Sequence, residues 1–415
     1  MNQIDSTQER KTPSRSLWRN RDFLLLWSGQ TVSVLGTNIS MLALPLLVLA
    51  VTHSPAQAGL LTAVRQLPYL LFSLPAGALL DRWDRKKTMI RCDLVRWIVL
   101  GSVPLAFMFG HLTLLQLYLV AFIEGTAYVF FSIAQIAALP QVVTKEHLPR
   151  AYAMDTTTEY VGQLLGPSLG GFIIGLAPLI IIGANLAFAL DSASYLISVI
   201  TLRFMKVSFQ VARTQVRRAL RKEIAEGLRF LWDQPLLRIM AILTMNGNFL
   251  LSPVTLAVIV LAQGTLHVSV QVLGIVVAAG GIGGVLGGFV APWIRSHVRF
   301  GLIIIASIFG WTLALVALAL APSALLLIAG VGLIGFIWPA YGVTLVSYRL
   351  SLSPDHLQGR VNSAFRFLSY GAEPLGAALF GLLLSLLNAR LVLGIIAAGL
   401  ALNAIAACFT RLRKA

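Results

Sequence analysis

Residues 77–87, GALLDRWDRKK, close an apolar run that contains LPYLLFSLPA at residues 67–76. A hydrophobic segment ending on one carboxylate, Asp81, among Arg82, Arg85, Lys86 and Lys87 raises two questions: which solvent the run is built for, and why a lone acid stands among cations. Composition answers the first. The 415-residue chain is 57% hydrophobic and 12% charged, with mean hydropathy +0.83, whereas an average soluble domain has roughly 25% charged residues. Lipid, not water, is the main solvent.

A bilayer core about 30 Å thick needs about 20 apolar residues per helix. Twelve such runs recur, at 23–51, 56–80, 88–109, 112–138, 151–176, 179–202, 236–263, 270–294, 301–321, 323–348, 361–387 and 389–410. The first is too long for a signal-peptide core, so it reads as a retained anchor. Lysines and arginines concentrate in the amino-terminal segment, in the even-numbered connections and in the carboxy-terminal tail, and all but Arg65 and Arg390 are expected on one side. The positive-inside rule makes that side cytoplasmic, with both termini inside and the protein multi-pass in the cell (inner or plasma) membrane. The net charge of +16 is then a topology signal and not a nucleic-acid footprint. Within the longest polar stretch, Val216, Leu220, Ile224, Leu228, Leu231 and Trp232 recur at helical spacing opposite a charged face. No stacking aromatics are interleaved with its cations, so the segment reads as an amphipathic linker on the membrane surface.

The expected organisation is a cytoplasmic segment 1–22, a six-helix bundle 23–202, the linker 203–235, a second six-helix bundle 236–410 and a cytoplasmic tail 411–415. Sliding the chain by 210 residues supports two similar halves: RAYAMDTTTEYVGQLLGPSLGG from Arg150 falls on RVNSAFRFLSYGAEPLGAALFG from Arg360, with Tyr160 on Tyr370, Gly166 on Gly376 and Gly171 on Gly381. Two parallel repeats imply a pseudo-twofold axis along the membrane normal and a central site between them. The fold class is all-α integral membrane.

The opening stretch resembles the signature of the major facilitator superfamily in the loop between its second and third helices, G-x-L-x-D-R-x-x-R-K/R-K/R, through Gly77, Leu79, Asp81, Arg82, Arg85, Lys86 and Lys87. The resemblance implies that Asp81 faces the start of helix 11, around residues 359–361, and latches the halves when the protein opens outward. In the second half Gly288 is retained, but Pro292 stands where Asp81 would fall, so any latch is asymmetric. In span 5, GQLLGPSLGG is similar to the antiporter motif of drug and proton exchangers through Gly162, Gly166, Pro167, Gly170 and Gly171, and Gly280–Gly288 in span 8 offers a smooth facing surface. Span 4 departs from the exporter pattern R-x-x-Q-G: Ala121 stands at the arginine position and Glu124 at the glutamine. The overall resemblance is closest to the macrolide-efflux and siderophore-exporter branch, partly through CDLVR at 92–96 and Asp191.

Charged groups at mid-depth are costly in hydrocarbon, about 3 kcal/mol each on insertion scales, and normally face a cavity or a partner. Four stand near the midplane: Arg65, Glu124, Asp191 and Glu373. With the family's helix arrangement, Glu124 ranks first and Glu373 second as proton carriers, Arg65 is their counter-charge and Asp191 is structural. The same arrangement places Gln30, Asn38, Met41, Tyr128, Phe131, Asn246, Phe249, Trp338 and Tyr341 around the cavity, an aromatic wall suited to bulky amphipathic cargo.

The expected function is secondary active transport: proton-coupled export of a small lipophilic or amphipathic compound by alternating access, in a protein working as a monomer. Uptake by proton symport, or a non-transporting receptor or scaffold, are the competing readings. Nothing in the sequence calls for a cofactor or metal: no Walker motif, no HExxH, and Cys92 and Cys408 form no ligand spacing. An enzyme is not expected.

Overall fold

Helix starts along the chain are fixed by short polar side chains. Asn20 caps the first long helix by accepting from the Phe23 N–H at 3.1 Å, and Asp84 caps the third by accepting from the Lys87 N–H at 3.0 Å. Ser269 and Asn388 do the same for the eighth and twelfth, each satisfying a donor that the helix leaves orphaned. The computed structural model describes residues 17–80, 83–144, 146–207, 209, 220–354 and 357–414. Over these residues the chain is helical rods and short turns.

The first six rods are α1 Arg21–Thr52, α2 Pro55–Leu80, α3 Arg85–Met108, α4 Leu114–Val142, α5 Leu148–Leu176 and α6 Ile180–Phe204. After a linker helix, Leu220–Asp233, come α7 Pro235–Thr265, α8 Val270–His297, α9 Phe300–Ala319, α10 Ala324–Leu352, α11 in two pieces, Gln358–Gly371 and Glu373–Leu386, and α12 Ala389–Cys408. Nine of these, among the described residues, are long and apolar enough to cross a membrane. The other three, α2, α3 and α5, are equally long. They carry the polar positions, among them Arg65, Arg96, Asp155 and Glu159, that lower their hydropathy.

The first six rods pack mainly on one another, as do the last six, and the two groups meet chiefly along α2 with α11 and α5 with α8. These two seams are equivalent. On one, a side chain at Gly59 of α2 would run into the Gly381 backbone of α11; on the other, one at Gly171 of α5 would run into the Gly274 backbone of α8. The 210-residue slide that pairs Gly171 with Gly381 therefore relates the two contacts, as a pseudo-twofold axis requires. Left-handed backbone at matching turns supports the repeat: His53 after α1 has φ 52° and His267 after α7 has φ 50°.

Both glycine contacts lie near the ends of the rods opposite the linker helix, the far side. There bare backbones touch across the halves, the close approach that small residues permit in lipid. The α5–α8 seam continues to mid-depth, where Gly281 meets Leu164 and Gly284 meets Tyr160. Toward the linker side the contacts thin: among the described residues a side chain at Gly77 of α2 or Gly288 of α8 would find no atom within 4 Å, although the first piece of α11 and the linker helix still touch α2. The tightest backbone contacts between the halves therefore lie on the far side.

Candidate functional site

The sequence expectation that mid-depth charges find partners is met inside the first bundle by a cluster spanning five helices. Glu124 of α4 receives two guanidinium groups: Arg65 Nε from α2 at 2.8 Å and Arg96 Nη2 from α3 at 3.1 Å. Arg96 Nη1 lies 3.5 Å from Asp93 Oδ1, and Nη2 donates to the Tyr195 hydroxyl of α6 at 2.7 Å. The Tyr195 ring stacks under the same guanidinium at 3.9 Å. Ser198 donates to Asp93 at 2.6 Å and accepts from Gln30 Nε2 of α1 at 2.9 Å, while Thr37 of α1 reaches the Tyr195 hydroxyl at 3.0 Å. The charges of Arg65, Arg96, Glu124 and Asp93 cancel. Asp191, joined to the cluster by the Tyr195 hydroxyl, which donates to Oδ2 at 3.5 Å, is the odd acid.

Asp93 and Arg96 are the residues that the sequence reading missed. Counting cations by connection placed Arg96 in the loop after span 2; it is a buried residue eleven positions into α3, about 16 Å along the helix axis. The signal was present in CDLVR, because an i,i+3 acid and base on a long helix face the same side. With Arg65 and Arg96 both delivered to Glu124, the guanidinium that span 4 lacks at Ala121 is supplied by α2 and α3. Taking one partner out of such a buried pair strands the others, at about 3–5 kcal/mol. Glu124 is therefore fixed between two cations.

Glu373 has a different setting. It opens the second piece of α11, directly after the break at Ala372. Its backbone carbonyl accepts from Ser252 of α7 at 2.9 Å, but its carboxylate has no ion pair or side-chain hydrogen bond among the described residues. Of the four mid-depth groups, it is the partly accessible, unpartnered one.

The expected cavity residues divide. Met41, Tyr128, Asn246 and Trp338 are exposed between or beside the helices. Gln30, Asn38, Phe131 and Tyr341 are buried, and Gln30 borders a small cleft with Trp27, Gln135 and Asp155. Gln30 is tied to Ser198, Asn38 bonds its own backbone at Val34 at 2.8 Å, Phe131 packs in the linker-side core, and Tyr341 is bound to Thr244 at 2.7 Å. Phe249 is a packing group, edge-on to Phe380 at 5.7 Å.

The antiporter-like residues sit on two faces of α5. Gly162, Gly166 and Gly170 lie against Val34, Asn38 and Ile39 of α1, and the Pro167 carbonyl and Gly171 lie against Gly274 of α8. Of the glycines at 280–288, only Gly281 and Gly284 face α5; Gly283 and Gly287 meet α10. In the opening motif, Asp81 and Arg82 lie outside the described residues. Arg85 donates to the Ala137 carbonyl at 3.1 Å and Lys86 to the Met205 carbonyl at 2.5 Å, tying α3 to α4 and to the end of α6. Lys87 is exposed beside Asp84. At the expected receiving end, Arg360 of α11 pairs with Glu226 of the linker helix at 2.5 Å, and Gly227 rests on the Arg360 backbone.

A family model described as transmembrane secretion effector matches residues 13–415. The chain belongs to that family of the major facilitator superfamily. It is a transport protein and not an enzyme. The multidrug efflux pump Tap of Mycolicibacterium fortuitum is 26% identical over 367 residues, covering 86% of this chain and 88% of Tap. The enterobactin exporter EntS of Citrobacter koseri is 25% identical over 362 residues, covering 86% and 84%. Among solved structures, the nucleoside transporter NupG superposes with a TM-score of 0.73 at 15% identity, covering 93% of this chain and 98% of NupG. A bacterial homologue of the iron transporter ferroportin gives 0.70 at 14%, covering 95% and 98%. The solved structures establish the fold, and the family match establishes that the chain transports a small molecule across a membrane.

Proposed function

We propose that this transporter exports a small amphipathic compound from the cytoplasm in exchange for protons, as a monomer in the cell inner membrane with its basic linker side inward. The observation that carries the reading is the access geometry. The far side carries the two symmetry-related glycine contacts, backbone against backbone, while at Gly77 and Gly288 near the linker side a side chain would meet nothing within 4 Å among the described residues. We read this conformation as the one in which cargo exchanges with the linker side, and export as the case in which it loads there. The described functions of Tap and EntS, efflux and export, support the same direction.

Export requires the two seams to part on the far side as the linker-side ends close. Closing carries the Gly77 end of α2 toward the start of α11, in the direction that the latch implied by the motif requires, and α11 moves together with the linker helix bound to Arg360. Glu373 is the group we assign to the proton. It is unpaired, it sits at the break in α11, and α11 forms one of the two moving seams. Glu124 holds Arg65 and Arg96 together, which keeps the first bundle rigid while it tilts.

The test is accumulation of a panel of dyes and antibiotics in efflux-deficient cells expressing the chain, with and without a protonophore. Lower accumulation that the protonophore restores supports export; higher accumulation under the same gradient identifies uptake instead. Absence of any flux in energised vesicles, for every compound of the panel, would leave a receptor or scaffold.

A further inference from the structure

Two guanidinium groups of the second bundle have no carboxylate within ion-pair distance among the described residues. Arg349, near the linker-side end of α10, is only 5% exposed. Its Nη2 donates to Asn362 Oδ1 of α11 at 2.7 Å, its guanidinium lies 4.4 Å from the Phe365 ring centroid, and its Nε is buried without a partner. One turn further along α11, Arg366 is exposed where the second bundle faces the first. It is eight residues past Gln358, about 12 Å along the helix at 1.5 Å per residue. Among the described residues it lies beside two tyrosines: Tyr69 of α2, whose ring centre is 5.8 Å away and whose hydroxyl is within its hydrogen-bonding reach, and Tyr370 at 6.0 Å, two rings that touch edge-on across the halves at 5.6 Å.

For buried Arg349 a missing counter-charge is unfavourable, and for Arg366 a charge that faces the space between the bundles is the kind kept for a pathway or a ligand. The two arginines of the first bundle have their acids built in. Here the acid is missing from the chain's described residues, and the closest acid further along α11, Glu373, is seven positions beyond Arg366, about 10 Å away along the helix. Guanidinium groups bind planar oxyanions bidentately, and a tyrosine pair beside one offers faces for an apolar body together with hydroxyl donors.

We propose that Arg366, framed by Tyr69 and Tyr370 and backed by Arg349, holds an oxyanion group, a carboxylate or a chemically equivalent anion, on the amphipathic cargo. Calling that ligand cargo rests on the export reading; the anion preference of the site does not. Because Tyr69 and Tyr370 come from opposite halves, a bound anion touches both sides of the α2–α11 seam. It then feels the seam open and close.

The direct probe is a matched pair, 7-diethylaminocoumarin-3-carboxylate and its methyl ester, titrated into the purified chain in neutral detergent. The wild type is expected to bind the carboxylate at least about tenfold more tightly, a difference of about 1.4 kcal/mol. Arg366→Gln should abolish that preference while leaving ester binding unchanged, and Arg366→Lys should restore part of it, which separates loss of charge from loss of fold. Equal binding of acid and ester, binding of neither, or a preference that survives Arg366→Gln would overturn the site. Displacement of the carboxylate by phosphatidylglycerol but not by soluble acids would assign the arginine to lipid and likewise overturn the cargo proposal. Failure of the export reading has a separate signature, absence of flux for the whole panel in energised vesicles, with the carboxylate preference intact.

Discussion

Arg65 and Arg96 in the first bundle, and Arg349 and Arg366 in the second, are treated in opposite ways. The first pair is clamped on Glu124, with Asp93 and Tyr195 completing the shell. The second pair has an asparagine and aromatic rings and no acid among the described residues. Two bundles that share a helical repeat thus divide the labour. One spends its charges on its own rigidity, and the other leaves a carboxylate and two cations available to a proton and a ligand. The difference teaches that pseudo-symmetry in the backbone does not extend to the chemistry hung on it.

The comparison breaks most visibly at Glu124. Glu124→Gln removes the acceptor that keeps Arg65 and Arg96 together, and a loss of about 3–5 kcal/mol is expected. Thermal unfolding of the detergent-solubilised protein should show it as a large fall in Tm; an unchanged Tm would mean that the cluster is not structural. Glu373→Gln should do the reverse. Stability stays near wild type, and proton-driven efflux in everted vesicles falls at least about tenfold, a barrier change of about 1.4 kcal/mol. Efflux at the wild-type rate would remove Glu373 from the coupling.

The far-side seam gives the next effect. Gly274→Leu places a side chain against the Gly171 backbone. It should prop the far side open and slow transport by roughly tenfold, equivalent to about 1.4 kcal/mol, whereas Gly288→Leu, at a position with no neighbour within 4 Å, should be nearly silent. Equal rates for the two variants would show that the glycine contact is not a gate. The smallest effect belongs to Asp81→Asn, expected to slow cycling a few-fold, by about 0.5–1 kcal/mol on the scale of a helix-terminus charge, with cargo affinity unchanged. A changed affinity at an unchanged rate would count against the latch.

Much of the architecture was legible because topology is written in gross features. Long apolar runs mark the rods, cation-rich connections mark one side, and the 210-residue slide marks the repeat that the contacts at Gly171 and Gly381 express. The ion pair between Arg65 and Glu124 was legible too, since a mid-depth charge calls for an opposite one nearby. What escaped was depth and rotation. Arg96 and Arg366 are written next to loops but helices begin early, so each residue past the start carries the side chain about 1.5 Å inward. Rods that are apolar on every face carry no signal of which face meets a cavity. That is why the sequence does not distinguish Asn38, Phe131 and Tyr341, which are buried, from Met41, Tyr128 and Trp338, which are exposed.

The central claim is that the halves rock about the seams, closing one side as the other opens. Two spin-label pairs read this motion directly by double electron–electron resonance: positions 54 and 385 across the far side, and positions 83 and 363 across the linker side. In Glu373→Gln, or on acidification of the wild type, the far-side distance should lengthen while the linker-side distance shortens. Distances that move in the same direction, or a change on one side alone, would contradict rocking.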